Sequence, residues 1–152
     1  GVIQGLKDSS GNDAGIRAVV LGAQKLGLKE FVVLTGSELT VDSALMAGAH
    51  GVVAGVGNID PAGYVKIFNL VAAGDYKSAR AEQERLTEMF GLADVGAPGR
   101  MGRGSSAIGA FKASLKLLGI IDDARVAPPQ IPLNSDEIAA ILPFLRNAKL
   151  LK

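Results

Sequence analysis

The chain has 152 residues, 48% of them hydrophobic and 20% charged, with a formal net charge of +1, an ordinary globular composition that gives no electrostatic reason to invoke nucleic acid or an anionic membrane surface. The absence of cysteine removes disulfides, thiolate catalysis and cysteine metal sites together, and the single histidine, His50, excludes a multi-histidine metal site or histidine relay within the chain. No run approaches the ~18 consecutive apolar residues of a membrane span, and no basic segment leads into an apolar one at the N-terminus, so neither membrane nor signal peptide is expected and the expected location is cytoplasmic.

The chain opens at Gly1, without methionine and directly into a strand, which raises the expectation of a processed piece of something longer. Residues 2–8 (VIQGLKD) are a short apolar run ended by Ser9-Ser10-Gly11-Asn12, the pattern of a strand and turn. Asn12 or Asp13 can cap a helix over 14–26, where Ile16, Val19, Val20, Ala23 and Leu26 recur at helical spacing and Gly27 ends the run. Residues 31–35 (FVVLT) are continuously β-branched and aromatic, as in a parallel strand buried on both faces. Gly36-Ser37 then turns into a helix over about 38–47, ended by Gly48. Residues 51–56 (GVVAGV) read as a third strand, and 57–60 lead into a helix with Pro61 near its first position.

Strands alternating with helices predict a βαβαβα array with a parallel sheet and right-handed crossovers. Beyond it, 76–90, 106–121 and 135–150 read as helices with no strands between them, separated by the glycine-rich loop 96–104 and the proline-containing stretch 126–133. The expected division is therefore an α/β part over 1–75 and a helical extension over 76–152. A three-stranded parallel sheet has two unpaired edges, which proteins normally cover, so the array is expected to be the end of a larger (β/α) barrel.

Alternation along the first strand puts Val2, Gln4 and Leu6 on one face and Ile3, Gly5 and Lys7 on the other. Lys7 thus sits toward the C-terminal end of a parallel strand, where barrels and open α/β sheets bind ligands, beside a glycine that leaves it space. A lysine there can form a Schiff base with a keto acid, whose iminium is an electron sink for the adjacent carbon–carbon bond. Burial in a barrel interior would favour the neutral nucleophile. Spacing alone also allows a strand-end lysine that snorkels into solvent or pairs with Asp8.

Other local readings are weaker. Gly55-Val56-Gly57 after a strand lacks the third glycine and the later acidic residue of a dinucleotide-binding turn. Gly99, Gly102 and Gly104 with Arg100 and Arg103 could cradle a phosphate, but read better as a solvated interhelical loop. His50 precedes the third strand at its N-terminal end, away from the expected site, and reads as structural.

The segment Ile3-Gln4-Gly5-Leu6-Lys7-Asp8-Ser9-Ser10-Gly11-Asn12 resembles the lysine segment of the dihydrodipicolinate synthase / N-acetylneuraminate lyase family. Val33-Leu34-Thr35-Gly36 looks like that family's next strand, and Ala47-Gly48-Ala49-His50-Gly51-Val52-Val53-Ala54-Gly55-Val56-Gly57-Asn58 like its last barrel strand. Gly109-Ala110-Phe111-Lys112-Ala113 and Leu117-Leu118-Gly119 resemble the appended helical bundle, so the likeness covers essentially the whole chain.

The resemblance implies an α/β fold, the last three βα units of a (β/α)8 TIM barrel, with a C-terminal helical extension that in this family helps homotetramers form. It implies Lys7 as the Schiff-base lysine, Val53 as the residue whose backbone carbonyl faces bound pyruvate, and Gly36 as a pocket-lining position. Ser9 and Glu38 fall where sugar-acid lyases contact the non-pyruvate part of the substrate; locally, Glu38 also reads as a first-turn helix carboxylate. Gly55 stands where sialic-acid lyases carry a serine, so that hydroxyl contact is lost, and with Gly57 it implies a roomy floor. The family's catalytic tyrosine and carboxylate-binding hydroxyl pair lie upstream of the lysine, outside this sequence, and Tyr64 and Tyr76 do not fill those roles.

The implied activity is a class I pyruvate-dependent aldolase or lyase acting on a 2-keto-3-deoxy sugar acid or related 2-oxo acid, with pyruvate and a small aldehyde as its partners and neither cofactor nor metal. The alternative within the family is 4-hydroxy-tetrahydrodipicolinate synthase, condensing pyruvate with aspartate semialdehyde. A third reading is a catalytically incomplete half-barrel that needs its missing N-terminal half in trans.

Overall fold

In the computed structural model, which describes residues 2–152, three short parallel strands form one sheet in the order β1-β2-β3: β1 (Gly5–Asp8), β2 (Val32–Thr35) and β3 (Gly51–Val52). The register sets Gly5 against Val32 and Asp8 against Thr35, then Thr35 against Val52. Each strand leads toward a helix: α1 (Asp13–Lys25), α2 (Val41–Met46) and, after a 3-10 turn over Val56–Asn58, α3 (Pro61–Ala72). The expected alternation of strand and helix is present. Two compact units divide the chain: residues 2–57 with Pro61–Glu84, and Asn58–Asp60 with Arg85–Lys152. The division falls inside α4 (Tyr76–Phe90).

In the first unit, α1 starts where Asn12 turns its side chain onto the Gly15 N–H at 3.1 Å, filling one of the unpaired donors of a first helical turn. It ends at Leu26, followed by Gly27 with φ +67°, a conformation costly for any side chain. The helix presents Ile16 and Val20 to Val33, Ala44 and Ala49, with Val19 and Phe31 packed against them. Fully burying a side chain such as Ile16 or Val33 contributes about 1.5–3 kcal/mol.

The two faces of β2 differ. Val33 and Thr35 are both fully buried, whereas Val32 on the alternate face is 40% exposed. Within the described residues, where burial on both faces was expected, helices cover one face only, so the β-branched run alternates in burial here although not in polarity.

Three further boundaries differ from expectation. The strand at 2–8 is reduced to Gly5–Asp8, with Val2 and Ile3 exposed, although the Gln4 carbonyl still accepts the Val32 N–H at 2.9 Å. β3 stops at Val52 because only one more rung follows, from the Val53 N–H to the Thr35 carbonyl at 2.9 Å, before the chain turns away. Helix α2 begins at Val41 rather than near Glu38, because residues 38–39 form a turn, Thr40 is the N-cap, and the Val41 N–H is taken by the Gln83 side chain at 2.9 Å.

In the second unit, a 3-10 turn over Gly91–Asp94 is followed by α5 (Arg103–Leu117), α6 (Ser135–Ala139) and α7 (Leu142–Asn147). Leu86, Met89, Leu92, Ala110, Ile141 and Leu145 are buried here. The single helix expected over 135–150 is two, because Pro143 has no N–H to continue the ladder from α6 and opens α7 instead. The glycine-rich loop is pinned: the buried Ser106 hydroxyl accepts the Gly96 N–H at 2.8 Å and donates to the Ala93 carbonyl at 2.7 Å. Its arginines are committed to carboxylates, Arg100 to Glu137 and Arg103 to Asp94, rather than left to receive a phosphate. Among the described residues, no helix is long and apolar enough to cross a membrane.

Candidate active site at the strand C-termini

The register brings the C-terminal ends of the three strands to one level, with Lys7 opposite Leu34 and Thr35 opposite both Asp8 and Val52. Two backbone bonds extend this edge past the strands, from the Gly36 N–H to the Asp8 carbonyl at 2.6 Å and from the Val53 N–H to the Thr35 carbonyl. Lys7, Gly36 and Val53 are thereby held by main-chain hydrogen bonding around one rim.

Gly36 is where side chains from β1 converge. A Cβ placed on it would collide with the Ser9 hydroxyl and would lie 2.7 Å from Lys7 Cε. The absence of a side chain at 36 therefore gives Lys7 and Ser9 their room. Gly5, which alternation offered as the space-making neighbour of Lys7, has another cause: a Cβ there would stand 2.5 Å from the Val32 carbonyl oxygen, so it serves strand approach.

Lys7 and Ser9 are exposed, and among the described residues no carboxylate lies within ion-pair distance of Lys7. Pairing with Asp8 is not what forms, because the Asp8 carboxylate accepts the Ser10 N–H at 2.7 Å. The Ser10 hydroxyl and N–H hold that carboxyl below the usual carboxylate range. Burial of Lys7, expected for a barrel interior, is not present in this chain. Val53 is 48% exposed and Gly55 is half-buried. A Cβ on Gly57 would lie in ordinary contact with Ala54 and the Tyr64 ring, so Gly57 faces α3 and adds no space to a floor.

Glu38 is not in the first turn of α2. Its Oε1 accepts the Val56 N–H at 2.8 Å, linking the loop after β2 to the turn after β3. The same loop is tied to α1 through Asp13, whose carboxylate accepts the Thr40 hydroxyl at 2.9 Å and the Ser43 hydroxyl at 2.8 Å. Sequence reading took Asp13 only as a possible helix cap and passed over Thr40, Ser43 and Gln83, the last of which is 5% exposed within the charged run of α4. Their spacing carried no signal, because Asp13 lies 27 and 30 residues from Thr40 and Ser43, and Gln83 lies 42 from Val41.

His50 is placed as expected, at the N-terminal end of β3, where its Nδ1 accepts the Val33 N–H at 3.0 Å. A cavity of about 270 Å³ at that end is lined by Val20, Gln24, Leu28, Phe31, Gly48 and His50, away from Lys7. Among the described residues, no group of His, Asp and Glu is arranged to hold a metal ion.

Residues 2–147 match the family model described as the Dihydrodipicolinate synthetase family. The chain is 32% identical over 131 residues to the 4-hydroxy-tetrahydrodipicolinate synthase of Nitrobacter hamburgensis, an alignment covering 86% of this chain and 40% of that protein. Its structure superposes on dihydrodipicolinate synthase from Bacteroides thetaiotaomicron with a TM-score of 0.83 and 30% identity, over 94% of this chain and 46% of that one. It also shares its fold with a 2-keto-3-deoxygluconate aldolase variant from Sulfolobus solfataricus, with a TM-score of 0.74 at 21% identity, over 98% of this chain and 48% of that one. The chain thus spans less than half the length of these relatives.

Proposed function

The chain belongs to the dihydrodipicolinate synthetase family, a family of lyases and aldolases, and from that membership we propose that it carries the Schiff-base lysine, Lys7, of a pyruvate-dependent carbon–carbon lyase. The observation that carries this reading is the clearance at Gly36, which a side chain would close against Lys7 and Ser9 at the C-terminal edge of the sheet. In this reading the chain supplies the last three βα units of a (β/α)8 barrel. The preceding units complete the pocket and provide the proton relay, and the helices from α4 onward serve a homotetramer in the cytoplasm.

The neutral Lys7 amine attacks the keto carbon of pyruvate or of a longer 2-oxo acid, and loss of water leaves an iminium. In cleavage, the hydroxyl on the carbon two bonds from the iminium carbon gives up its proton, and the bond between that carbon and the carbon next to the iminium breaks, its electron pair forming the enamine of pyruvate as an aldehyde leaves. Protonation and hydrolysis release pyruvate, and condensation runs the same steps backwards. The Val53 carbonyl and the edge at Gly36 border the pyruvate, while Ser9 and Gly55 lie toward the partner aldehyde. The missing hydroxyl at Gly55 favours a 2-keto-3-deoxy sugar acid over sialic acid.

A second reading, condensation of pyruvate with aspartate semialdehyde, is favoured by the name of the Nitrobacter relative. Steady-state assays with each aldehyde separate the two. The test common to both is borohydride trapping with pyruvate, followed by peptide mass mapping, on protein containing the whole barrel. A reduced pyruvyl adduct on Lys7 is expected, and its absence overturns the lyase reading. In the 152-residue chain alone, trapping is expected to be slow or absent, because the rest of the pocket is supplied by the preceding units.

A further inference from the structure

Glu38 stands two residues beyond Gly36, where family likeness points its carboxylate at substrate hydroxyls, yet its hydrogen bonds run into the protein. Its Oε1 accepts the Val56 N–H at 2.8 Å. Its own carbonyl oxygen accepts two side-chain donors, Gln83 Nε2 from α4 at 3.0 Å and the Tyr64 hydroxyl from α3 at 3.3 Å. Gln83 is buried, and its amide oxygen accepts the Val41 and Asp42 N–H groups at 2.9 and 3.4 Å, closing the N-terminus of α2. A primary amide engaged at both ends has one orientation open to it, since only the oxygen accepts and only the nitrogen donates.

The Val56 end has a backbone reason as well. Val56 is fully buried and lies past the last rung of the sheet, so its N–H cannot be answered by β2. A buried N–H left unpaired is costly, and a carboxylate is among the strongest acceptors that could satisfy it. Glu38 follows Gly36 past the end of β2 and Val56 follows Val53 to Gly55 past the end of β3, so this one hydrogen bond ties together the two segments that define the site.

We infer that Glu38 is a positioning residue, held by Gln83, whose carboxylate sets the spacing between the Gly36 edge and the Val53–Gly55 segment instead of binding substrate hydroxyls. Its kinetic consequences rest on the reading of Lys7 as the pyruvate anchor; the hydrogen bond itself does not. The work of the carboxylate is acceptance of one N–H, which the amide oxygen of glutamine can also perform.

The experiment compares Glu38→Ala and Glu38→Gln in the full-length protein by hydrogen exchange at the Val56 amide, by the rate of borohydride trapping with pyruvate alone, and by KM for the carbonyl partner. Glu38→Ala is expected to speed Val56 exchange by about tenfold or more and to slow pyruvate trapping, with the loss in kcat. Glu38→Gln is expected to restore most of both. The inference is overturned if Val56 exchange in Glu38→Ala matches wild type. It is equally overturned if Glu38→Gln keeps Val56 protected and pyruvate trapping intact but raises KM for the carbonyl partner, since that assigns the carboxylate to the substrate. Should Glu38→Ala fail to fold, the Glu38→Gln comparison alone decides. If wild type forms no pyruvate adduct at Lys7, the lyase reading fails while Val56 exchange still tests the strut.

Discussion

At the scale of single residues, two glycines, one at the start of β1 and one just past β2, make opposite demands. A Cβ on Gly5 would meet the Val32 backbone oxygen at 2.5 Å, and a backbone atom cannot swing aside. Gly5→Ala is therefore expected to destabilise the chain by about 1–3 kcal/mol, read as a lower midpoint in urea unfolding. A Cβ on Gly36 would meet the exposed side chains of Lys7 and Ser9, which can rotate away. Gly36→Ala should therefore leave the unfolding midpoint nearly unchanged and, in the full-length protein, cut the rate of pyruvate trapping by about tenfold to a hundredfold. Trapping at the wild-type rate would deny Gly36 its role. Gly5 was legible as special from the motif around Lys7, and Gly36 from the resemblance of the segment Val33-Leu34-Thr35-Gly36. Which of them makes room for the lysine was not, because that depends on the register between β1 and β2.

At the scale of elements, the clearest case is the start of α6. Asn134 and Glu137 form a capping box, Asn134 accepting the Glu137 N–H at 2.9 Å and Glu137 accepting the Asn134 N–H at 2.8 Å. The Glu137 carboxylate also pairs with Arg100 and accepts the Ala97 N–H, so one buried side chain anchors the glycine-rich loop to this helix. The Arg100 guanidinium first, then the Ala97 and Asn134 N–H groups, hold its pKa at about 2 instead of the ordinary 4.5. A depressed carboxylate stabilises the fold fully above its unfolded value and loses that contribution as pH falls through its folded value. Unfolding stability should therefore decline between pH 4.5 and about 2 in wild type, and Glu137→Gln should flatten that part of the profile. Thermal melts across this window check it; an unaltered slope in the variant would refute the assignment. The helix itself was legible from periodicity. Its break was written at Pro143 and overlooked, since the apolar spacing runs on past it.

At the scale of the whole chain, the sheet leaves apolar surface without cover among the described residues. Val2 and Ile3 beside β1 are 101% and 74% exposed, and Val32 and Val53 on the strands are 40% and 48% exposed. The outer edge of β1 pairs with no described strand. Unpaired edges of this kind template further pairing, so the isolated 152-residue chain is expected to self-associate with rising concentration in size-exclusion chromatography with light scattering. A monomer at every concentration would count against it. By itself the sequence determined the alternation of strand and helix, the parallel sheet, the family likeness and the position of Lys7 at a strand end, because periodicity, caps and a contiguous motif are local and each residue carries its own share of the signal. Only the tertiary structure decided that β2 is covered on one face, that Glu38 turns inward to Val56, and that Gln83 closes α2 from 42 residues away. Those outcomes depend on which donor lacks a partner once the chain has folded, and no spacing along the sequence encodes that.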